Sequence, residues 1–241
     1  MRLKITFDAT RPNTCVPLFY SAALGRTLEK WFRDLLTEPT SEFVFSRLFI
    51  KSRIVDTRAS TIRLLSPTAN LYVSMFQEPP PTLDLQQTLK GKPAEIGLDG
   101  GDIVVESVRI LHDPAWRHHA SFRMLSPTAL PNGNGAWIRA DEPEAREKIR
   151  SLLLQRYERV TGNSPISGAD LVVELDEKYV AERGGGAGVM KIIKLVDASG
   201  MVSEVEAFIC PVSFSGDPKL ISLAYHTGVG ALGRQGFGMV G

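Results

Sequence analysis

A chain of 241 residues, 43% hydrophobic and 23% charged, has the composition of a soluble globular protein and is near the size at which one core divides into two. No uninterrupted apolar run is long enough to cross a bilayer, and MRLKITFDAT alternates like a strand instead of forming a signal peptide's apolar block, which predicts a cytoplasmic protein without a membrane partner. Cys15 and Cys210 are too few and too far apart for a disulfide framework or a metal cluster, and each is expected to be a small buried or partly buried apolar residue. The net charge of +1 hides a gradient: residues 1–63 hold eleven Lys or Arg against six acids, a basic patch able to steer an anionic polymer.

In chain order, residues 2–8 alternate as a strand, and PLFYSAALGRTLEKWFRDLL carries apolar residues at a spacing that predicts a helix buried on one side. EFVFSRLFI is a second strand, and residues 60–75 form one or two short strands around Ser66-Pro67. A turn at Pro79, Pro80 and Pro81 precedes a short helix, LDLQQTLKG, and the strand GDIVVESVRIL. Pro114 marks a boundary. HHASFRMLSP then reads as a strand, DEPEAREKIRSLLLQRYERVTG as a long helix capped by Asp141, and DLVVELDEKYV as a strand. GVMKIIKLVDA and MVSEVEAFICPVSF follow as strands around Ser199-Gly200, then a helix starting at Asp217-Pro218, a glycine-rich tail and a short last strand, GFGMV. The order predicts an α+β fold of two units close to the split βαβ plan, residues 1–114 and 115–241.

The tail TGVGALGRQGFGMV places glycines at 228, 230, 233, 236 and 238. Such a loop lets successive N–H groups converge on an anion, with Arg234 adding a bidentate phosphate contact; equally, it is a structural turn packing glycines against a neighbouring element. It leaves a helix C-terminus and lacks Lys followed by Ser or Thr, so it is not a mononucleotide-binding loop.

SFRMLSPTAL at 121–130, the helix ending RYERVTG, LISLAYHTGVG and GRQGFGMV together resemble the CRISPR-associated repeat endoribonucleases of the repeat-associated RNA-binding superfamily. FVFSRL resembles that family's second strand and LFYSAALGRTLEKW its first helix. The likeness covers nearly the whole chain and is strongest over 220–240. It implies tandem ferredoxin-like domains that bind the repeats of a CRISPR precursor transcript and cut once per repeat. The implied cut uses no metal or cofactor: a ribose 2′-OH attacks the adjacent phosphate, leaving a 2′,3′-cyclic phosphate and a 5′-hydroxyl. Gly228, Gly230, Gly236 and Gly238 match the glycine pattern that lies against the RNA backbone in such proteins. A homodimer and association with a CRISPR effector complex are compatible with the resemblance.

The family's usual histidine at the end of the first helix is missing here, where LLTEPTSEFVFS stands, and no histidine precedes His112. Either another group moves the protons, cations alone accelerate the reaction, or the protein binds RNA without cutting it. Arg26, Lys30 and Arg33 share a helix face, while Arg47, Lys51 and Arg53 alternate along the second strand and are expected on one side of it. Lys51, at the approximate position of a lysine used by some relatives, is the first catalytic candidate, followed by Lys30, Arg26 and Tyr20. Arg33, Arg47 and Arg53 are read as RNA contacts, or as solvated strand residues and partners of Glu42 and Asp56 in the last two cases. Arg117, Arg123 and Arg139 are further RNA contacts, as is Arg183 beside the GGGAG run at 184–188, read as a flexible hairpin tip. His226 either caps carbonyls at its helix end or meets RNA at the tail. His112, His118 and His119 share no ligand spacing with Cys, Asp or Glu, so no metal site is expected.

Overall fold

The computed structural model describes residues 1–33, 42–76, 83–96, 103–163 and 171–241. Its elements in chain order are β1 (Arg2–Ala9), β2 (Cys15–Pro17), α1 (Ser21–Arg33), β3 (Phe43–Phe45), β4 (Phe49–Ile50), β5 (Arg53–Asp56), β6 (Thr61–Leu64), β7 (Thr68–Met75), α2 (Leu85–Leu89) and β8 (Ile103–Leu111). There follow β9 (His119–Phe122), α3 (Glu144–Thr161), β10 (Leu171–Leu175), α4 (Glu177–Glu182), α5 (Gly185–Val189), β11 (Met190–Val196), β12 (Val202–Phe208), β13 (Val212–Gly216) and α6 (Pro218–Thr227), then a 3-10 turn over Gly233–Gln235.

The fold is a mixed α/β architecture with two principal antiparallel sheets. In the first, the order is β3-β7-β1-β8, with β4 also on β7. Alternation along β1 turns Leu3, Ile5 and Phe7 into the core and leaves Lys4, Thr6 and Asp8 on the other face. Leu24, Leu28, Trp31 and Phe32 of α1 close that core together with Leu85 and Leu89 of α2. In the second sheet the order is β10-β13-β9, and Met124 just beyond β9 bridges to Val240 of the tail. α3 and α6 cover its inner face through Ile149, Leu153, Leu220 and Ile221. A third cluster, Ala22, Ala129, Leu195, Val205, Ala207 and Phe237, seats the β11–β12 hairpin against α1 and the tail. Burial of Phe237 there contributes about 1.5–3 kcal/mol.

Several expectations change. The second strand breaks after Phe45, because the Arg47 N–H turns out of the sheet to the Leu125 carbonyl. β5 joins β2 and β6 in a separate small sheet, so Arg47, Lys51 and Arg53 do not line one strand face. The strand read through Val180 stops at Leu175, where the Asp176 side chain accepts the Tyr179 N–H and starts α4. The GGGAG run is no hairpin tip: it forms α5, while the β11–β12 turn falls at 197–201, around Ser199-Gly200 as expected. Asp141 does not cap α3. Pro143 occupies that position without a side-chain bond, and Asp141 accepts the Gly186 N–H at 2.8 Å. GFGMV pairs only through the Met124–Val240 bridge and adjoining bonds, among them Leu125 N–H to Met239 O at 2.7 Å. Asp217 does cap α6, accepting the Lys219 N–H at 2.8 Å. The proline turn at 79–81 and the chain after Arg33 that carries LLTEPTS lie outside the described residues.

Helix α1 rests directly on the 3-10 turn. A Cβ added at Gly25 would fall on the Arg234 carbonyl, so a side chain there separates helix from tail. Gly25→Ala is expected to destabilise the protein by about 2 kcal/mol and to lower Tm by roughly 4–8 °C in a calorimetric scan; an unchanged Tm would show that the contact gives without cost.

Candidate functional site

The glycine tail lies between the two main cores. Gly228, Gly230, Gly236 and Gly238 are all buried, and only residues 231–235 are partly exposed. At Gly236, where φ is +85°, a Cβ would stand 2.7 Å from the Phe45 ring. The Val229 N–H bonds to the Gly238 carbonyl at 2.8 Å, and the Gly238 N–H to Pro127 at 2.7 Å. These glycines pack protein against protein: they shape the loop, which presents its middle, residues 231–235, to solvent.

Two buried arginines that sequence reasoning did not single out hold this tail. Arg156 of α3 donates through Nη1 to the carbonyls of Thr227 (3.0 Å) and Gly228 (2.6 Å), and through Nη2 to that of Gly230 (2.7 Å). Glu42 approaches it to 3.9 Å, and burial pushes the guanidinium pKa down against that opposing charge. Its signal was present: Ala145, Ile149, Leu153 and Arg156 fall on one helical stripe, so the arginine occupies a core position. Arg2 donates to the carbonyls of Tyr225 and Val240, both at 2.7 Å, and lies 3.3 Å from the Tyr225 ring centroid. Burial lowers its pKa to about 10, which leaves it charged at neutral pH.

His226 also faces inward, with 3% of its surface exposed. Its Nε2 lies 2.8 Å from Asp113 Oδ2, and its Nδ1 lies 3.4 Å from both Ser74 Oγ and the N-terminal nitrogen. In this structure the ring is enclosed by protein groups on both nitrogen edges. Desolvation and the N-terminal charge push its pKa down, opposed by Asp113.

The exposed part of the tail borders a cleft of about 600 Å³ between α1 and the β11–β12 hairpin. Arg26, Glu29, Trp137, Glu204, Arg234 and Gln235 are among its walls. Arg26 reaches the Val196 carbonyl at 3.3 Å, and Arg234 meets Glu29 at 3.3 Å. Gln235 Oε1 is buried and makes no hydrogen bond.

The remaining assigned residues are dispersed. Lys30 pairs with Glu95 at 2.8 Å, and Arg33 with Glu29 at 3.8 Å. Lys51 is exposed at the bend after β4, and neither it nor Lys30 lines the cleft. Tyr20, just ahead of α1, accepts the Leu48 N–H at 2.8 Å; burial raises its pKa, and the charges of Arg47 and Arg53 act against that. The fold thus gathers Tyr20, Arg47 and Arg53 apart from Arg26. Arg117 and Arg123 are exposed around β9, Arg139 pairs with Asp141 at 3.3 Å, and Arg183 lies 3.5 Å from the Tyr179 ring centroid. His118 and His119 bond to the Gly216 carbonyl and to Ser215 Oγ, each at 3.0 Å. Among the described residues, no three His, Cys, Asp or Glu gather where they could hold a metal ion, and no helix is long and apolar enough to cross a membrane.

A family model for the C-terminal part of the CRISPR-associated protein Cas6 matches residues 112–241, more than half of the chain. The chain belongs to the CRISPR-associated Cas6 family. Among solved structures, it is similar to an RAMP protein described as binding different RNA substrates, with 19% identity over 100% of this chain and 98% of that one and a TM-score of 0.75. A Cas6-related protein from Pyrococcus furiosus matches with 19% identity over 100% and 97% and a TM-score of 0.73, and a further CRISPR-associated protein Cas6 with 17% over 100% and 98% and a TM-score of 0.71. At these identities the likeness is one of fold. No curated protein matches the sequence. The Cas6 family model covers the tail, Arg156, His226 and the β11–β12 hairpin, whereas Arg26 lies before it.

Arg156→Leu is expected to leave three tail carbonyls buried and unpaired, costing about 3 kcal/mol and lowering Tm by roughly 6–12 °C; a Tm within error of the parent would mean the tail holds itself. For His226 the unfolded state binds more protons once pH falls below about 6.5, so stability is lost from there down to the lower folded-state pKa. Tm measured between pH 8 and pH 5 is expected to decline on the acid side, and the decline to flatten in His226→Gln. An equal slope in both proteins would remove His226 as its source.

Proposed function

We propose that this protein binds the repeats of CRISPR precursor RNA and cuts within them without a metal to release guide RNAs. The cleft lined by Arg26 and Arg234, floored by the tail, supports this most directly, in a chain of the Cas6 family. Strand orders β3-β7-β1-β8 and β10-β13-β9, the latter extended by Val240, support a reading as two ferredoxin-like units, 1–114 and 115–241. In the reaction the 2′-oxygen loses its proton and bonds to the adjacent phosphorus, the bond to the 5′-oxygen breaks, and that oxygen takes up a proton. A 2′,3′-cyclic phosphate and a 5′-hydroxyl result.

Arg26 and Arg234 are assigned to the phosphate oxygens, where charge grows in the transition state. No histidine lines the cleft, so fixed positive charge and in-line positioning carry more of the rate than proton transfer does. Lys30 and Lys51 lie outside the cleft lining and are assigned to holding the RNA that leads into it, together with Arg33, Arg53, Arg117, Arg123, Arg139 and Arg183, while the buried Tyr20 is assigned to positioning the Leu48 backbone beside Arg47. A second reading, a repeat-binding subunit that does not cut, is favoured by the absence of histidine before His112 and by the burial of His226.

Labelled repeat RNA incubated with the protein in EDTA is expected to be cut at one site, and a 2′-deoxy nucleotide at that site to abolish the cut. Tight, repeat-selective binding without scission from pH 6 to 9 would establish the second reading. Arg26→Ala is expected to slow cleavage about 100-fold with binding reduced less than tenfold, whereas Lys51→Ala reduces both alike.

A further inference from the structure

A second cavity, of about 310 Å³, opens at the start of α1 and shares no lining residue with the cleft. We propose that it holds one unstacked nucleotide of the bound RNA, with the base inside and the phosphate at the mouth; this rests on the RNA-binding reading above. Its volume is at the low end of the about 300–1,000 Å³ typical of small-molecule sites, which suits a single nucleotide and excludes a helix.

The walls and the mouth differ in chemistry. Phe19, Ile193 and the buried Phe237 make the interior apolar, with Phe19 the aromatic side chain exposed enough to stack a base. Arg47, between β3 and β4, and Lys191, on β11, line the same cavity, and both side chains are exposed. Neither has an ion-pair partner among the described residues, unlike Lys30, Arg33 and Arg234. A guanidinium and an ammonium left unpaired at one mouth match a phosphate, the first bidentately and the second as a point charge.

A further group in this cavity lacks a partner. Ser21 Oγ, at the first residue of α1, is buried and makes no hydrogen bond. Enclosed as it is, this oxygen would meet a base edge or ribose hydroxyl only after a local shift of the cavity wall. Inorganic phosphate would leave the aromatic walls uncovered, and an apolar ligand would leave the two cations unpaired; a nucleotide satisfies both. Ile192 and Ile193 border this cavity while Leu195 borders the cleft, so β11 separates the two sites. The held nucleotide therefore flanks the one in the cleft, and the cavity sets the register of the RNA.

AMP, CMP, GMP and UMP titrated against the full chain, followed by protein NMR, test the cavity without RNA. At least one is expected to bind saturably with Kd near ~1 mM, and binding to weaken about tenfold or more in Arg47→Ala/Lys191→Ala and in the cavity-filling Ile193→Trp. The exposed cations can be replaced without disturbing the core, and circular dichroism checks the fold of both variants. No saturable binding of any of the four, or binding that the folded double variant retains, overturns the proposal. Repeat RNA binding measured in parallel separates the two failures. If wild type binds repeat RNA but no mononucleotide, the cavity proposal alone falls; if it binds mononucleotides through Arg47 and Lys191 but no repeat RNA, the preceding reading falls and the cavity remains a nucleotide site.

Discussion

A buried guanidinium organises this protein. Arg156 carries a full charge into the space between the two main cores and satisfies it on the carbonyls of Thr227, Gly228 and Gly230. Those carbonyls leave a helix end and enter a loop too tightly packed for side chains, where water cannot serve them. The arginine and the loop each resolve the other's desolvation. Neither is stable there alone, because an unpaired buried charge and unpaired buried carbonyls both cost free energy.

From that anchor the site geometry follows. With the first residues of the tail held, the 3-10 turn is set against α1 at Gly25, and Arg234 is placed beside Glu29 at the cleft. Phe237 then fills the gap between α1 and the β11–β12 hairpin. One wall of each cavity is thus made of tail residues, Leu232 to Gln235 on one side and Gly236 with Phe237 on the other. Arg2 secures the far end by donating to Val240, so the tail is tied to both sheets. The groups that line both cavities are positioned by buried contacts of protein with protein.

Much of the architecture was legible in one dimension because it depends on period. Leu3, Ile5 and Phe7 alternate, and α6 announces itself with Asp217-Pro218 and closes at Gly228. Local rules failed where a distant partner outbid them. Asp141 looked like a helix cap but serves the Gly186 N–H, from a segment 45 residues away. The glycines at 184–188 looked flexible, yet their helix is pinned by that same carboxylate. The second strand was read as continuous, and it breaks where Leu125 takes the Arg47 N–H. Arg156 could have been found as a charge on an apolar stripe, whereas nothing local marks Arg2, whose strand face is covered by Tyr225 of the last helix.

By itself the sequence determined the alternation and helical stripes that make two sheets with their covering helices, the glycine-dense tail, and the absence of a histidine before His112. These are properties of chain order and of side-chain period, which need no knowledge of what lies opposite. Only the tertiary structure decided that the glycines face protein, that His226 is enclosed by Asp113, Ser74 and Trp116, and which cations share a cavity. Such outcomes depend on the charges and carbonyls that distant segments bring together, and burial converts those meetings from weak surface contacts into the interactions that place the site.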